Sequence, residues 1–487
     1  MRLTALIDKA ATYGDSTLTV RSALAAQPVL KSFPELCNDV RNLAASLADL
    51  GVRPGHIVGI QAANTYEFVV WDLALIELGA IPHVFPEDWP ISQVKETATS
   101  HALAFTVSEQ SGDLVLPNSA RLSDYIRFAA RPARMEERDV LTRVYSSGTT
   151  GKLKGLVICR HGVEHVASQF IDDFSLSDRD RYLFFLPMSH FQQRLSLYTC
   201  LFAGVSVMLT PYTHVFHDIA HFKPTFLIAP PAFYDVALAA IIPQGSELTG
   251  AERLQAALGG KLRFMITGMA PIRRGVLEAY QRYGLPLLEA YGMTEVGLIA
   301  WNAPGDNRLG TVGRPLKHHR LFFAEDSEIL VETQHSLASG YFDVDPEEAG
   351  RTFLPNGCIA TGDIGELDGT HLVLRGRKKD IIITNEGIKI HPSALEERVL
   401  TCELIRQAAV ITDIYRDDLV LVLSVDDPHD ETTISKANSL VEVINGSGSL
   451  RIARTVITRT RFAIENGMLT RNMKLNRGAI AREFSTP

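Results

Sequence analysis

The sequence predicts an α/β protein in two unequal domains: a large N-terminal one of parallel and mixed sheets covered by helices, and a small α+β one behind it. Three features carry that reading. Helix-like and strand-like segments alternate along most of the chain, the pattern of parallel sheets with helical crossovers. The chain is 487 residues long, more than a single hydrophobic core organises. A compact basic segment, GRKKD, interrupts two β-rich runs within 372–384. The expected domains are therefore 1–375 and 381–487, joined through 376–380.

The elements follow in order. Val40, Leu43, Ala44 and Leu47 recur at helical spacing, and Gly51 with the turn RPGH closes that helix. IVGIQ reads as a short buried strand, and EFVVWDLALIELGA as a helix with one apolar face. The same strand–helix rhythm returns in TFLIAPPAFYDVALAAII and in LRFMITGMAPIRRGVLEAYQRYG. After the basic segment, PSALEERVL reads as a helix and QAAVITDI and LVLVLSVD as strands, with a polar loop and a basic tail to finish. No short-period repeat or low-complexity tract is present. Taken alone, GRKKD reads more readily as a surface hairpin with a solvated charge run than as a linker.

Composition narrows the function. Hydrophobic residues make up 46% and charged residues 21%, as in globular proteins. With 48 Lys and Arg against 56 Asp and Glu the net charge is -8, which leaves no broad footprint for nucleic acid or an anionic membrane. Lys9 and Asp15 interrupt the first residues, which lack the apolar stretch of a signal peptide. The longest apolar runs are about half of the ~20 residues that a membrane helix needs. The five cysteines are scattered without a CxxC pair, so disulfides and structural zinc are not expected and a reducing cytoplasm is the simplest setting.

The strongest local signal is YSSGTTGKLKG, Tyr145 to Gly155. A polyphosphate needs close hydrogen-bond donors, room for the backbone to approach, and positive charge; hydroxyls, glycine amides and lysines supply these. A Walker loop would place Ser or Thr after Lys152 and its first glycine further upstream than Gly148, so the spacing does not fit. A flexible linker is the plain alternative, but the residues on both sides read as core strands.

This stretch resembles the signature loop of the adenylate-forming superfamily, which includes acyl-CoA synthetases, luciferases and peptide-synthetase adenylation domains. YGMTE (291–295), GTVGRP (310–315), TGDIGELDG (361–369), GRKKD (376–380) and LTRNMKLNR (469–477) match its further motifs in the same order. The resemblance covers nearly the whole chain and is closest to the fatty-acyl-CoA synthetase branch. It implies a mobile C-terminal domain that rotates about GRKKD between two half-reactions: ATP-dependent formation of an acyl-AMP, then transfer to a thiol.

The resemblance also implies roles. Ser146, Ser147, Gly148, Thr149, Thr150, Gly151 and Lys154 would hold the triphosphate. Tyr291 would stack on adenine within the nucleotide-binding run Glu289, Ala290, Tyr291, Gly292 and Met293, with Met269, Ala270 and Pro271 opposite. Thr294 would bond phosphate, and Glu295 would hold Mg²⁺. Asp363 would accept both ribose hydroxyls, as its acceptor-only carboxylate suits a diol, and Arg377 would support the same ribose. Lys474 would bridge the carboxylate and the α-phosphate during catalysis, and Lys379 would serve at the hinge. In isolation Asp363 reads as a turn residue and Lys474 as a solvated lysine of a basic tail. FLPMSHFQQR (185–194) resembles a fatty-acyl motif and would set His190 over the acyl pocket with Phe191 beside it; alone, His190 reads as a helix-start histidine. No acidic residue lies in that stretch to pair with an α-amine, so an amino acid substrate is disfavoured.

Four positions depart from the family pattern: Leu153 and Cys358 replace a proline and a tryptophan, while Met269 and Glu386 replace glycines. Met269 is expected to shorten the acyl pocket, and Glu386 borders the expected pantetheine route. The leading expectation is a CoA ligase for a non-amino carboxylic acid. The alternatives are delivery to carrier-protein phosphopantetheine or another nucleophile, and a silent nucleotide- or acyl-binding protein.

Overall fold

The computed structural model describes residues 1–21, 27–112, 139–147, 153–239, 249–285, 287–383, 389–416, 418–446, 451–463, 465–469 and 475–486. A nine-stranded sheet runs from Arg314–Pro315 through Gly297–Trp301, Leu287–Met293, Phe264–Thr267, Phe226–Ala229, Arg181–Phe184, Ser206–Leu209 and Thr17–Val20 to Val29–Ser32. Its middle is parallel and its edges antiparallel. A six-stranded sheet contains Ile57–Gln61, Ile81–Val84 and Phe105–Ser108 in parallel. A four-stranded antiparallel sheet is built from 319–323, 328–333, 358–368 and 371–377.

The local signals act as physical chemistry requires. Ser32 and Glu35 form a capping box that starts helix Phe33–Asp49, whose Val40, Leu43, Ala44 and Leu47 are buried. Helix α1, Tyr66–Leu78, is capped by Thr65 and ends at Gly79, whose φ of 74° supplies the left-handed C-terminal turn. The expectation of one apolar face is corrected here: every residue from Phe68 to Ile76 is buried, including Asp72, because α1 lies within the core. Strands β1, Val140–Ser147, and β2, Leu153–Cys159, form an antiparallel hairpin with Ser147 opposite Leu153, so the glycine-rich loop joins two sheet strands. Helix α2, Arg160–Phe174, follows β2 directly, and helix α3, Phe191–Ala203, packs beside it in the main core.

Four further strands frame the site: β3, Phe264–Thr267, β4, Leu287–Met293, β5, Cys358–Asp368, and β6, His371–Arg377. β6 runs unbroken through Gly376 and Arg377, and the chain turns only at Lys378–Asp380. Beyond the turn, helix α4 is Pro392–Leu400, and a separate three-stranded sheet combines Ile405–Thr412, Leu419–Val425 and Arg454–Thr458 over its own core. The expected polar loop and basic tail are corrected: they contain helix Glu431–Gly446, strand Arg454–Thr458 and helix Arg477–Phe484. These segments bury few residues each, Thr433, Ala437 and Ile444 in the first helix, so their periodicity is faint in a polar sequence.

Candidate active site

The nucleotide side is organised by β4 and the β5–β6 hairpin. Asp363 and Arg377 face each other across the two strands, and Arg377 Nε lies 3.0 Å from Asp363 Oδ1. Tyr291 donates its hydroxyl to Asp363 Oδ2 at 2.8 Å. Burial, and then the charge of Asp363, push the Tyr291 phenol well above its ordinary pKa, so it remains a donor. A bulge between Tyr291 and Gly292 reshapes β4. A Cβ at Gly292 would stand 2.3 Å from the carbonyl oxygen of Gly297, so only glycine lets the two strands meet there.

The basic segment divides its work residue by residue. Arg377 pairs with Asp363, and Lys378 Nζ reaches Glu328 at 2.7 Å and Asp326 at 2.8 Å. Burial lowers the pKa of Lys379, Arg377 and Lys154 act in the same direction, and Asp380 and Asp363 oppose them. Lys379 therefore stands within the electrostatic reach of the Asp363 group and of the strand that follows the glycine-rich loop. A solvated charge run does not describe these side chains.

A second cluster lies around Glu295, which is buried. Tyr341 donates its hydroxyl to Glu295 Oε1 at 2.7 Å, and Lys154 Nζ stands 5.1 Å over the Tyr341 ring while pairing with Glu348 Oε1 at 2.7 Å. Lys154, Tyr341 and Glu295 are thus brought into one group, with half-exposed Thr294 beside it. Tyr341 and Glu348 were not legible as site residues: Tyr341 lies 46 residues from Glu295 in the chain, with no local pattern to mark it.

On the acyl side, His190 precedes α3 as its N-cap residue and is exposed. The surrounding walls still strip enough water to lower its pKa below the ordinary imidazole value, against Asp88, which raises it. The ring is accordingly neutral at pH 7. Phe191 is buried in the core. Arg194, in the same motif, has a structural role: it is wholly buried, forms an ion pair with Asp72 and donates to Thr142 Oγ1 at 3.0 Å. Tyr198 donates to the same Asp72. Beneath this helix a cavity of about 30 Å³ is lined by Phe170, Leu195, Cys200, Phe226 and Leu298 among others, room for about one water.

Met269 follows β3 and Gly268 with φ 69° and is 39% exposed; Ala270 is half-buried and Pro271 exposed. Glu289 and Thr267 are register partners on parallel β3 and β4. Thr267 Oγ1 and Glu289 Oε2 are both buried without a hydrogen-bond partner among the described residues. Burial, and then Glu397 of α4, push the Glu289 carboxyl up to about 7, with the Gly310 amide opposing. Ala290 is half-buried, Gly292 exposed and Met293 half-buried along the same strand. Of the remaining expected residues, Ser146 is half-buried beside the loop. The side chain of Ser147, and Gly148, Thr149, Thr150, Gly151, Glu386 and Lys474, lie outside the described residues.

Known proteins resemble this chain in sequence and in fold. The chain is 27% identical over 545 aligned positions to the long-chain-fatty-acid–CoA ligase FadD15 of Mycobacterium bovis, covering 93% of this chain and 90% of that one. The solved anthranilate CoA ligase AuaEII, in complex with anthranoyl-AMP, superposes with a TM-score of 0.79 at 18% identity, over 100% of this chain and 97% of that one. The amide bond synthetase McbA of Marinactinospora thermotolerans gives a TM-score of 0.78 at 21% identity, over 99% and 100%. At such identities the structures establish the fold: a large N-terminal domain and a small C-terminal one. Residues 8–342, about two thirds of the sequence, match the AMP-binding enzyme family, and the chain therefore belongs to that family.

Proposed function

We propose that this enzyme condenses a non-amino carboxylic acid with ATP to give an acyl-AMP and pyrophosphate, then passes the acyl group to the thiol of CoA. The observation that carries the reading is the buried Asp363 carboxylate held between the Tyr291 hydroxyl and Arg377. Opposed donors aim an acceptor-only group at the place where a ribose diol would lie. The named relatives support the acceptor, since FadD15 and the Bacillus 2-succinylbenzoate ligases are CoA ligases.

In this scheme the first half-reaction joins two anions, and the protein's task is to cancel charge and align the reacting atoms. Tyr291 and the Glu289–Met293 strand would hold the adenosine, with Met269, Ala270 and Pro271 on the other side. Ser146 to Gly151 and Lys154 would hold the polyphosphate with Thr294, and Lys154 would exchange Glu348 for a phosphate oxygen. Glu295 and Thr294 offer hard oxygen donors of the kind Mg²⁺ accepts, so Glu295 fits as its ligand. The metal would neutralise phosphate charge. Lys474 would carry the charge that builds between carboxylate and α-phosphate, a task for a compact ammonium. Residues 376–380 would be the hinge between 1–375 and 381–487, with Lys379 serving the thioester step. His190, neutral, would face the acyl group.

A short, medium or cyclic acid fits best. By the family pattern Met269 would stand where a long alkyl chain enters, and an unbranched side chain there would limit the depth of the acyl site. A reducing cytoplasm would suit five cysteines scattered without a CxxC pair and would supply CoA. No helix among the described residues is long and apolar enough to cross a membrane.

ATP–pyrophosphate exchange across a panel of acids tests the first half-reaction; the same panel with CoA, and then with holo carrier protein, identifies the acceptor. Lys474→Ala is expected to lower adenylation by roughly 10²–10³, about 3–4 kcal/mol of transition-state stabilisation, with ATP binding retained. Exchange at the wild-type rate in that variant removes Lys474 from the chemistry. Absence of exchange with every acid would favour a nucleotide-binding role.

A further inference from the structure

We infer that Asp139, Cys159 and His161 form a binding site for a divalent transition metal ion of the Zn²⁺ type, at the end of the β1–β2 hairpin opposite the glycine-rich loop. One ligand atom from each residue lies within 4.8 Å of the other two. Bond lengths of ~2.0–2.3 Å to oxygen, nitrogen and sulfur place tetrahedral ligands roughly 3.3–3.8 Å apart, so small side-chain adjustments close the site around an ion. A thiolate, an imidazole and a carboxylate are the mixed donor set that selects Zn²⁺ and its first-row neighbours over Mg²⁺ or Ca²⁺.

The fold brings the three together by its backbone rather than by chance side-chain contact. Asp139 precedes β1, Cys159 ends β2 opposite Val140, and His161 lies in the first turn of α2. The Arg160 amide donates to the Asp139 carbonyl at 2.8 Å, and the His161 amide to Asp139 Oδ1 at 3.3 Å. His161 Nδ1 contacts the other carboxylate oxygen. Cys159 is 4% exposed, whereas the His161 and Asp139 side chains are 44% and 43% exposed, giving an ion a way in from solvent.

The fourth position would be filled by a water, or by His335 after a side-chain movement. The Cys159 amide donates to the Leu337 carbonyl at 2.8 Å, and a Cβ on Gly162 would stand 2.3 Å from the Ser336 carbonyl oxygen, so the segment after His335 is pressed against this corner. The His335 ring centroid is 6.1 Å from that of His161 and 4.1 Å from that of His165, on which it stacks. From Val140 to Ser147 the strand spans seven steps of about 3.3 Å, so the site is about 23 Å from the phosphate loop and outside the chemistry. An ion there would clamp the open end of the hairpin to α2.

The test uses the full chain, stripped with a chelator and titrated with Co²⁺ and Zn²⁺. Exposed His217 and His221 stack one helical turn apart and could collect ions by themselves, so the titration is done in a His221→Ala background. One equivalent is expected to bind, with a sulfur-to-cobalt charge-transfer band. Cys159→Ser should abolish that band. His161→Gln and Asp139→Asn, at exposed positions where folding is not at issue, should each weaken Zn²⁺ by more than roughly 10-fold, as even outer-shell partners of metal sites do. Zn²⁺ should raise Tm in the parent and not in these variants. The inference is overturned by the absence of stoichiometric binding in the His221→Ala background, by a band that survives Cys159→Ser, or by unchanged affinity in both exposed variants; an Asp–His ion pair is then all that this corner contains.

Discussion

Met269 occupies backbone territory that glycine enters freely and that costs other residues about 1 kcal/mol or more. Its side chain is 39% exposed at the end of β3 instead of filling a sealed core position. Met269→Gly is expected to move kcat/KM toward longer acids by roughly 10-fold, the scale of one or two methylenes. Relief of the left-handed strain offsets the ~0.5–1 kcal/mol that glycine costs in chain entropy, so stability should change little. An unchanged chain-length profile would remove Met269 as the determinant. Tyr341 acts one layer further in. Tyr341→Phe removes the hydrogen bond to Glu295 but leaves the ring beneath Lys154, so the Mg²⁺ concentration for half-maximal exchange should rise several-fold while KM for the acid stays put. Equal changes in both would point to a general loss of packing. At this scale the sequence had named Asp363, Arg377 and Glu295 through the family motifs. It could not name Tyr341 or Glu348, because their partners come from distant strands and turns.

At the level of elements, α3 is held by a buried ion pair to α1 rather than by apolar packing alone. Arg194 and Asp72 are both fully buried, and Thr142 of β1 and Tyr198 complete their hydrogen bonds. Removing one partner leaves an uncompensated buried charge, which typically costs 3–5 kcal/mol. Arg194→Ala should therefore lower unfolding stability by about that amount in denaturant titrations, and Asp72→Leu/Arg194→Met together should cost less than the sum of the single changes. Additive losses would deny the pairing. The motif around His190 thus sets His190 as the exposed N-cap of the helix while Arg194 ties that helix down. Helical periodicity made the helix at 33–49 legible, whereas the short segments after Val425 bury too few residues to leave a pattern.

Across the whole molecule, Glu289 of the large sheet feels the charge of Glu397, which follows the basic segment 376–380. Glu289 of β4 is raised to about 7 by burial and by Glu397 of α4, while Glu397 is raised by burial and by Glu396, with Arg375 opposing. A carboxyl raised in the folded state binds its proton more tightly there than in the unfolded chain. The contribution of Glu289 to stability is then greatest in acid, falls as pH rises from about 4.5 to 7, and is level above that. Glu289→Gln should stabilise the protein by about 3 kcal/mol at pH 8 and by almost nothing at pH 4, read from denaturant unfolding at the two values. An equal gain at both would assign the effect to packing.

By itself the sequence determined the family, the order of the motifs and the central strand–helix units, because these are written in local spacing: hydroxyls and glycines around a loop, apolar residues at intervals of two or four. The tertiary structure alone decided what each charged residue does. GRKKD is one run of charge in the sequence, yet Arg377 faces Asp363, Lys378 faces Glu328 and Asp326, and Lys379 is desolvated by burial. The same holds for Arg194 against Asp72 and for Glu289 against Glu397. A charge acquires its role from desolvation and from the partner brought within a few ångströms, and both depend on chain segments that meet only after folding.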